Sequence, residues 1–312
     1  MIGIKGVASF LPENCIDNIT QALRFGESED FIQKKIGARK LPRKTGGDDT
    51  SDLVVYAVEA LFKKYPALKR ENIDALVVVT QNGDGEGLPH TAAIAQEKLG
   101  LSTSVAAFDI SLGCSGYVYG LYVLKGFMEA VGFRNAVLVT ADPYSKVIDD
   151  GDRVTALLFG DASTATWLGL DAEWELGPSH FGTDGSGSDY LQVKEQRLQM
   201  NGRQVYNFAA LRVAPHIEEL LKTANLSAGD IDAYCLHQGS MAILEAISRR
   251  FPEIKERFVK DMCHTGNTVS SSIPLLLEDR LGLEEWNRII ISGFGVGLSW
   301  ASALLIKNRR KQ

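Results

Sequence analysis

Short, continuous apolar runs alternating with longer amphipathic stretches are the feature that most limits the fold of this chain. Residues 75–80 (ALVVVT), 136–140 (AVLVT) and 288–292 (RIIIS) have the composition of strands buried on both faces of a parallel sheet. Residues 232–237 (DAYCLH) form a fourth candidate. Between these runs the apolar spacing turns helical. Residues 50–64 carry Leu53, Val54, Ala57, Leu61 and Phe62 at helical intervals behind the capping sequence DDTSD, and residues 211–224 and 241–250 have the same period. This alternation predicts an α/β protein with mainly parallel sheets.

A chain of 312 residues has room for two domains or one duplicated unit. A faint repeat favours duplication. PALKRENIDALVVVT and LLKTANLSAGDIDAYCLH both run from a helix through a polar turn to Ile-Asp-Ala and a strand. Ile73-Asp74-Ala75 and Ile231-Asp232-Ala233 occupy matching places, though three residues are a thin match. The boundary is expected after a strand at 165–170, dividing the chain into halves 1–170 and 171–312. Residues 182–188 (GTDGSGS) are expected as a loop inside the second half.

Composition removes several functions. The net charge of −6 supplies no overall basic field, so nucleic acid is not an expected partner. No apolar run has membrane-spanning length. The first residues, MIGIKGVASFLPEN, read as a strand and a turn, not as a signal peptide, so the cytoplasm is the expected location. Cys15, Cys114, Cys235 and Cys263 contain no C-x-x-C pair, which speaks against a zinc knuckle or a thioredoxin-type motif. They are expected as free thiols, with no metal.

Cys114 has the setting of a nucleophile. In FDISLGCSGYVYGLYVLKGFMEA a strand end at 108–110 leads through Gly113 to the cysteine, and a weakly charged helix follows from Ser115. Backbone N–H groups at a helix N-terminus stabilise a thiolate and can hold an oxyanion formed on it. A small buried thiol is the competing reading, and this segment alone leaves both open. Cys15 in a turn and Cys235 inside an apolar strand fit the bland reading better.

A catalytic cysteine needs partners. Of the histidines at 90, 180, 216, 237 and 264, His237 ends a predicted strand, where α/β proteins bind ligands. His216 follows a proline in a helical pattern and reads as packing, and His90 and His180 lie in loops. His264-Thr265-Gly266-Asn267 offers a glycine turn and a neutral amide donor, or merely a polar turn before a helix near Ser270. Residues 293–300 (GFGVGLSW) lack the third glycine of a dinucleotide fingerprint and run into a strand (ASALLIK). A glycine turn between strands suits close backbone approach to a ligand.

The ordered set GVASFLPEN, DISLGCSGY, LFGDAST, LHQGS, HTGNTVSSSIP and SGFGVGLSW resembles the β-ketoacyl-acyl-carrier-protein synthase III family along nearly the whole chain. The resemblance implies the thiolase fold: two α/β halves, each with a five-stranded mixed sheet, in a five-layered αβαβα body that works as a homodimer. It implies that Cys114 takes an acyl group from a thioester. His237 and Asn267 then hold the enolate formed when a malonyl thioester loses carbon dioxide. The backbone N–H groups of Cys114 and Val296 match the oxyanion hole, beside Gly295. Coenzyme A thioesters or acyl-carrier-protein thioesters are the implied substrates, malonyl-carrier protein the extender, and no metal or redox cofactor is implied.

Departures from the family pattern fall at the entrance. Phe31 stands where a tryptophan typically stacks on the coenzyme A adenine, and Lys35 where an arginine contacts the nucleotide. Lysine lacks the planar fork of arginine. Leu88 matches the residue that reaches into the partner's acyl pocket, where phenylalanine is frequent. Ala242 replaces an arginine that docks the carrier protein, while Arg249 and Arg250 match later basic positions. His-Gln-Gly-Ser replaces His-Gln-Ala-Asn at 237–240. These changes tilt the expectation toward a specialised pathway. A degradative thiolase would need a second cysteine in the C-terminal glycine turn. A plant-type polyketide synthase has a longer chain. A head-to-head condensing enzyme would use a partner glutamate, for which Glu86 is two positions away from Leu88. A non-decarboxylating acyltransferase would lose Asn267, and a non-catalytic partner subunit would lose Cys114.

Overall fold

A computed structural model describes residues 1–308 of the chain. In order, the elements of the first half are β1 (Ile2–Phe10), β2 (Cys15–Asp17), α1 (Asn18–Leu23), α2 (Glu29–Phe31), β3 (Lys40–Pro42), α3 (Thr50–Lys64), β4 (Ala75–Val79), α4 (Thr91–Lys98), β5 (Ala106–Ile110), α5 (Gly116–Val131), β6 (Asn135–Ala141), α6 (Arg153–Ala156) and β7 (Ser163–Leu170). There follow β8 (Trp174–Thr183), β9 (Leu191–Lys194), β10 (Arg197–Met200), α7 (Gly202–Thr223), β11 (Ala233–Leu236), α8 (Met241–Ser248), α9 (Ser272–Leu277), β12 (Arg288–Gly295) and β13 (Ser299–Lys307).

The four apolar runs are strands β4, β6, β11 and β12. The capping sequence starts α3 as expected: the Asp49 carboxylate accepts from the helix N-terminus while Asp52 accepts from the Asp49 N–H. α7 begins nine residues before the predicted start, at Gly202. Asn201 caps it, and Val205, Phe208 and Ala209 extend the same packing side. Residues 182–188 are not one loop. Gly182 and Thr183 complete β8, and a short 3-10 turn spans Gly185–Tyr190.

Nine strands bond into a single sheet in the order β11-β12-β13-β8-β1-β7-β6-β4-β5. β4 runs parallel to β5 and β6, and β11 parallel to β12, whereas the other pairs are antiparallel. The sheet is therefore mixed, as the resemblance implies and the alternation alone does not. Five strands belong to the first half and four to the second, one fewer than expected. Within the sheet, and among the described residues, the halves pair through Gly3–Glu175 and Ile4–Trp174.

The Ile-Asp-Ala repeat has a physical basis. Asp74 accepts the N–H groups of Arg134 and Asn135 at 2.7 and 2.9 Å, where β6 begins. Asp232 accepts those of Asn287 and Arg288 at 2.8 and 2.9 Å, where β12 begins. Each aspartate ties the start of its own strand to the start of the parallel neighbour.

Packing arranges five layers. The buried residues Tyr117, Leu121, Leu124 and Met128 of α5 share one core with Val77, Val79 and Leu138 of the first half and Ile289, Ile291 and Ala301 of the second. α9 joins the same core through Ile273, Leu276 and Leu277. α3 and α4 cover the outer side of the first half, and α7 and α8 that of the second. α5 and α9 are thus held between the two halves in the thiolase arrangement, and the N-terminus of α5 opens onto their junction.

Candidate active site

Cys114 sits in the turn between β5 and α5 and is buried. The turn fits because three glycines clear it. A side chain on Gly116 would strike Val79 Cγ1 at 2.4 Å; one on Gly293 would strike the Cys114 carbonyl at 2.5 Å; one on Gly295 would strike the Cys114 sulfur at 2.7 Å. Gly293 and Gly295 alternate along β12 and face the cysteine together.

Burial and charge act on the sulfur in opposite directions. Loss of solvent, followed by the nearby Asp142 carboxyl, pushes the Cys114 pKa up to about 12, while the N–H groups of Val296 and of Cys114 itself pull it down. The expected lowering by the helix terminus is therefore outweighed: burial costs the thiolate more than the N–H groups return. The resting group is a thiol. The two N–H groups named from the sequence do converge on the sulfur.

His237 follows β11, with its N–H on the Ser292 carbonyl at 2.8 Å. Nδ1 lies 2.8 Å from Ser272 Oγ, and the Phe294 ring meets the imidazole edge-on at 5.4 Å. Burial brings its pKa down to about 3, so the ring is neutral. Asn267 is placed by a turn that only glycine permits: Gly266 has φ +64°, and a side chain there would strike Leu41 at 2.4 Å. The Asn267 backbone bonds to Leu158 and Gly160 on both sides. Its amide oxygen accepts the Val269 N–H at 2.9 Å and its Nδ2 donates to the Gly239 carbonyl at 3.3 Å. That orientation leaves the second Nδ2 proton available. Val269 stands at φ +53°, a region β-branched residues rarely enter, and the turn aims its N–H at Asn267.

Cys114, His237 and Asn267 line one cavity of about 340 Å³. The cavity also touches Phe31, Lys35, Arg153, Ala242 and Gly295. Lys35 and Arg153 are exposed and Phe31 half-buried, so these mark the mouth and the buried trio the floor. Leu158, Phe159, Leu191, Met200, Val205 and Ile243 make an apolar wall between them. The expected substrate contacts divide accordingly. Phe31, Lys35 and Gly295 line the cavity. Leu88, 91% exposed on the loop before α4, does not, nor do Arg249 and Arg250 on the exposed end of α8.

Sequence reasoning missed Arg153, whose guanidinium stands 5.8 Å over the Phe31 ring and pairs with Glu27. Nothing in DDGDRVT separates it from a surface arginine. It also missed the β9–β10 hairpin that supplies Leu191 and Met200, and Asp142 beside the thiol. Among the described residues, no group of three or more His, Cys, Asp or Glu could hold a metal. None of their helices is long and apolar enough to cross a membrane.

The chain has close relatives. Family models for 3-oxoacyl-[acyl-carrier-protein (ACP)] synthase III match residues 108–185, and for its C-terminal part residues 221–307. The beta-ketoacyl-[acyl-carrier-protein] synthase III of Staphylococcus aureus (strain JH1) is 34% identical over 314 residues, which cover 98% of each chain. A crystal structure of 3-oxoacyl-(acyl-carrier-protein) synthase III aligns with a TM-score of 0.91 at 32% identity, covering 98% of this chain and 99% of that one. The enzyme from Thermus thermophilus aligns at 0.90 and 30% identity, covering 99% and 100%.

Proposed function

The chain belongs to the 3-oxoacyl-(acyl-carrier-protein) synthase III family, and from that premise we propose a two-step condensation carried on Cys114. It is an acyltransferase that extends an acyl group by decarboxylative Claisen condensation. The observation that carries this reading is a buried thiol, a neutral imidazole and an amide donor lining one cavity floor.

In the first step the Cys114 sulfur attacks an acyl thioester. The tetrahedral oxyanion is held by the N–H groups of Cys114 and Val296, the thiolate of the carrier leaves, and the cysteine proton ends on it. In the second step a malonyl thioester loses carbon dioxide. The electrons of the broken bond move onto the thioester oxygen, where His237 and Asn267 donate to the enolate. Its carbon attacks the acyl carbonyl and expels the Cys114 thiolate, which takes a proton from solvent. The product is a β-ketoacyl thioester. A water-poor floor protects both the acyl-enzyme and the carbanion.

Coenzyme A and carrier-protein thioesters fit the cavity as long-armed substrates, with Phe31, Lys35 and Arg153 at the nucleotide end. Malonyl-carrier protein is the extender, with Arg249 and Arg250 as carrier contacts. The enzyme acts as a homodimer in the cytoplasm. The exposed Leu88 and the half-buried β5, at one end of the sheet order, support a partner on that side. The halves divide at 170, with the nucleophile in 1–170 and the histidine and asparagine in 171–312, of which 309–312 lie outside the described residues.

Intact-mass measurement after incubation with acyl-coenzyme A and acyl-carrier-protein donors tests the first step. An acyl adduct that Cys114→Ala abolishes is expected; no adduct with any donor sinks the reading. Malonyl-carrier protein added to the acylated protein should then release carbon dioxide and a ketoacyl product. Failure of both would leave acyl transfer without condensation.

A further inference from the structure

The backbone of residues 156–160, which leads into the LFGDAST motif, is held from two sides. On one side it meets the turn that carries Asn267. The Asn267 N–H donates to the Leu158 carbonyl and the Gly160 N–H to the Asn267 carbonyl, both at 3.0 Å, so that Phe159 and Asn267 pair as a short parallel bridge. Glycines allow the approach. A side chain on Gly160 would strike the Thr265 carbonyl at 2.1 Å, and one on Gly266 the Leu158 carbonyl at 2.8 Å. On the other side, two buried amides and a guanidinium take the carbonyls that the bridge leaves. Gln21 Nε2 donates to Ala156 at 3.1 Å, Asn18 Nδ2 to Leu157 at 2.9 Å, and Arg43 Nη1 to Phe159 at 2.5 Å.

Arg43 stands out in this set. It is buried, and a buried cation must regain from the protein what it loses in water. Asp161 and Asp150 supply opposite charge nearby. Asp161 is itself fixed, accepting from the Lys44 N–H at 2.9 Å and from the Ser145 hydroxyl at 2.5 Å. The bond to the Phe159 carbonyl is charge-assisted, and it falls on the residue that bridges to Asn267. Resting on the condensation reading above, we propose that Arg43 is a positioning residue for the malonyl step: it clamps Phe159, and through the bridge fixes the backbone from which the Asn267 amide reaches the enolate. Arg43 does not line the cavity and touches no reacting atom. Among the described residues, neither it nor Phe159 is hydrogen-bonded to the Cys114 turn or to β12, so acyl transfer to the sulfur does not depend on the clamp.

The test uses the full-length protein and two variants. Arg43→Met keeps an apolar stem and has no donor. Arg43→Lys keeps one cationic donor, and one suffices, because both hydrogen bonds of the guanidinium run from Nη1. Carbon dioxide release from malonyl-carrier protein by the acylated enzyme should fall about tenfold in Arg43→Met, short of the roughly 10²-fold loss that follows deletion of a whole oxyanion donor. It should recover in Arg43→Lys. Acylation of Cys114 should be unchanged in both. Hydrogen exchange, read by mass spectrometry, should quicken in Arg43→Met in peptides spanning 158–162 and 263–269 by more than in β4, because the bridge opens locally while the sheet stays closed.

Decarboxylation at the wild-type rate in Arg43→Met, a parallel loss of acylation, an Arg43→Lys variant as slow as Arg43→Met, or exchange that quickens equally in β4 would each overturn the proposal. Arg43→Gln replaces the methionine variant if the latter does not fold. Its amide nitrogen stops two bonds short of Nη1, so decarboxylation equal to wild type would again count against the clamp. A wild type that never decarboxylates malonyl-carrier protein would overturn the condensation reading itself, while the exchange of the two bridge peptides would still report whether Arg43 holds Asn267.

Discussion

At the scale of single residues, Cys114, the proposed nucleophile, rests protonated. Its pKa of about 12 reflects burial first and Asp142 second, so the thiolate fraction grows through the whole neutral and mildly alkaline range. Alkylation by iodoacetamide should therefore quicken about tenfold per pH unit between pH 7 and 9.5. A plateau near pH 8 would show that the N–H groups outweigh burial after all. Asp142→Asn keeps an oxygen for the Gln81 N–H and the Asn82 amide but removes the carboxylate. It should speed alkylation at pH 8 by up to about tenfold, one pKa unit being a factor of ten. Much of the candidate site was legible at this scale. Cys114, His237 and Asn267, which line one cavity, stand out through glycines and strand ends, which are local signals. Asp142 and Arg153 do not, because their contacts with the site cross long sequence separations.

At the scale of elements, β12 shows how one strand holds Cys114 in place. Gly293 and Gly295 share a face, yet a methyl group added to each meets different obstacles. On Gly293 it would meet backbone, the Cys114 carbonyl at 2.5 Å and Ser115 Cα at 2.8 Å; on Gly295 it would meet the rotatable Cys114 sulfur at 2.7 Å and the fixed Cys114 Cβ at 2.9 Å. Gly293→Ala should therefore lower stability by about 1–3 kcal/mol in denaturant unfolding, the usual range for overpacking. Gly295→Ala should lose less stability than Gly293→Ala, since one of its two clashes is relieved by rotating the sulfur, while Cys114 acylation by an acyl-coenzyme A donor drops because the sulfur is turned from its two N–H groups. Equal stability losses in the two variants would refute that division. Elements themselves were legible wherever one period ran cleanly, as in β4, β6, β12 and the cap-to-end match of α3. The start of α7 was not, since GRQVYN carries polar residues and its helical state follows from the Asn201 cap and from packing of Val205 against the cavity wall.

At the scale of the whole molecule, the layering appeared in the sequence only as the two Ile-Asp-Ala echoes and the family resemblance. What joins the halves, the shared core around α5 and the short β1–β8 contact, is nonlocal and leaves no pattern along the chain. The same nonlocal burial dictates how the fold responds to acid. Burial lowers the pKa values of His216 and His237 to about 4 and about 3, helped at His216 by the neighbouring His180 and only partly opposed there by Glu219. Burial lifts that of Asp142 to about 7. Between about pH 4.5 and 5.5 the unfolded chain thus binds nearly two protons on the histidines that the fold refuses, while the fold keeps nearly one on Asp142 that the unfolded chain releases. The net difference of one proton makes stability fall with acidification by about 1.4 kcal/mol per pH unit in that window. Carboxylates whose pKa values are lowered, such as Asp49 and Asp52, add to the loss only near and below the bottom of the window. Asp142→Asn removes the opposing proton, so its slope should double to about 2.7 kcal/mol per unit. Urea unfolding of both proteins at about pH 4.5, 5.0 and 5.5 measures the two slopes. Equal slopes would mean that Asp142 is ionised in the fold, and the account of its effect on the Cys114 thiol would fall with it.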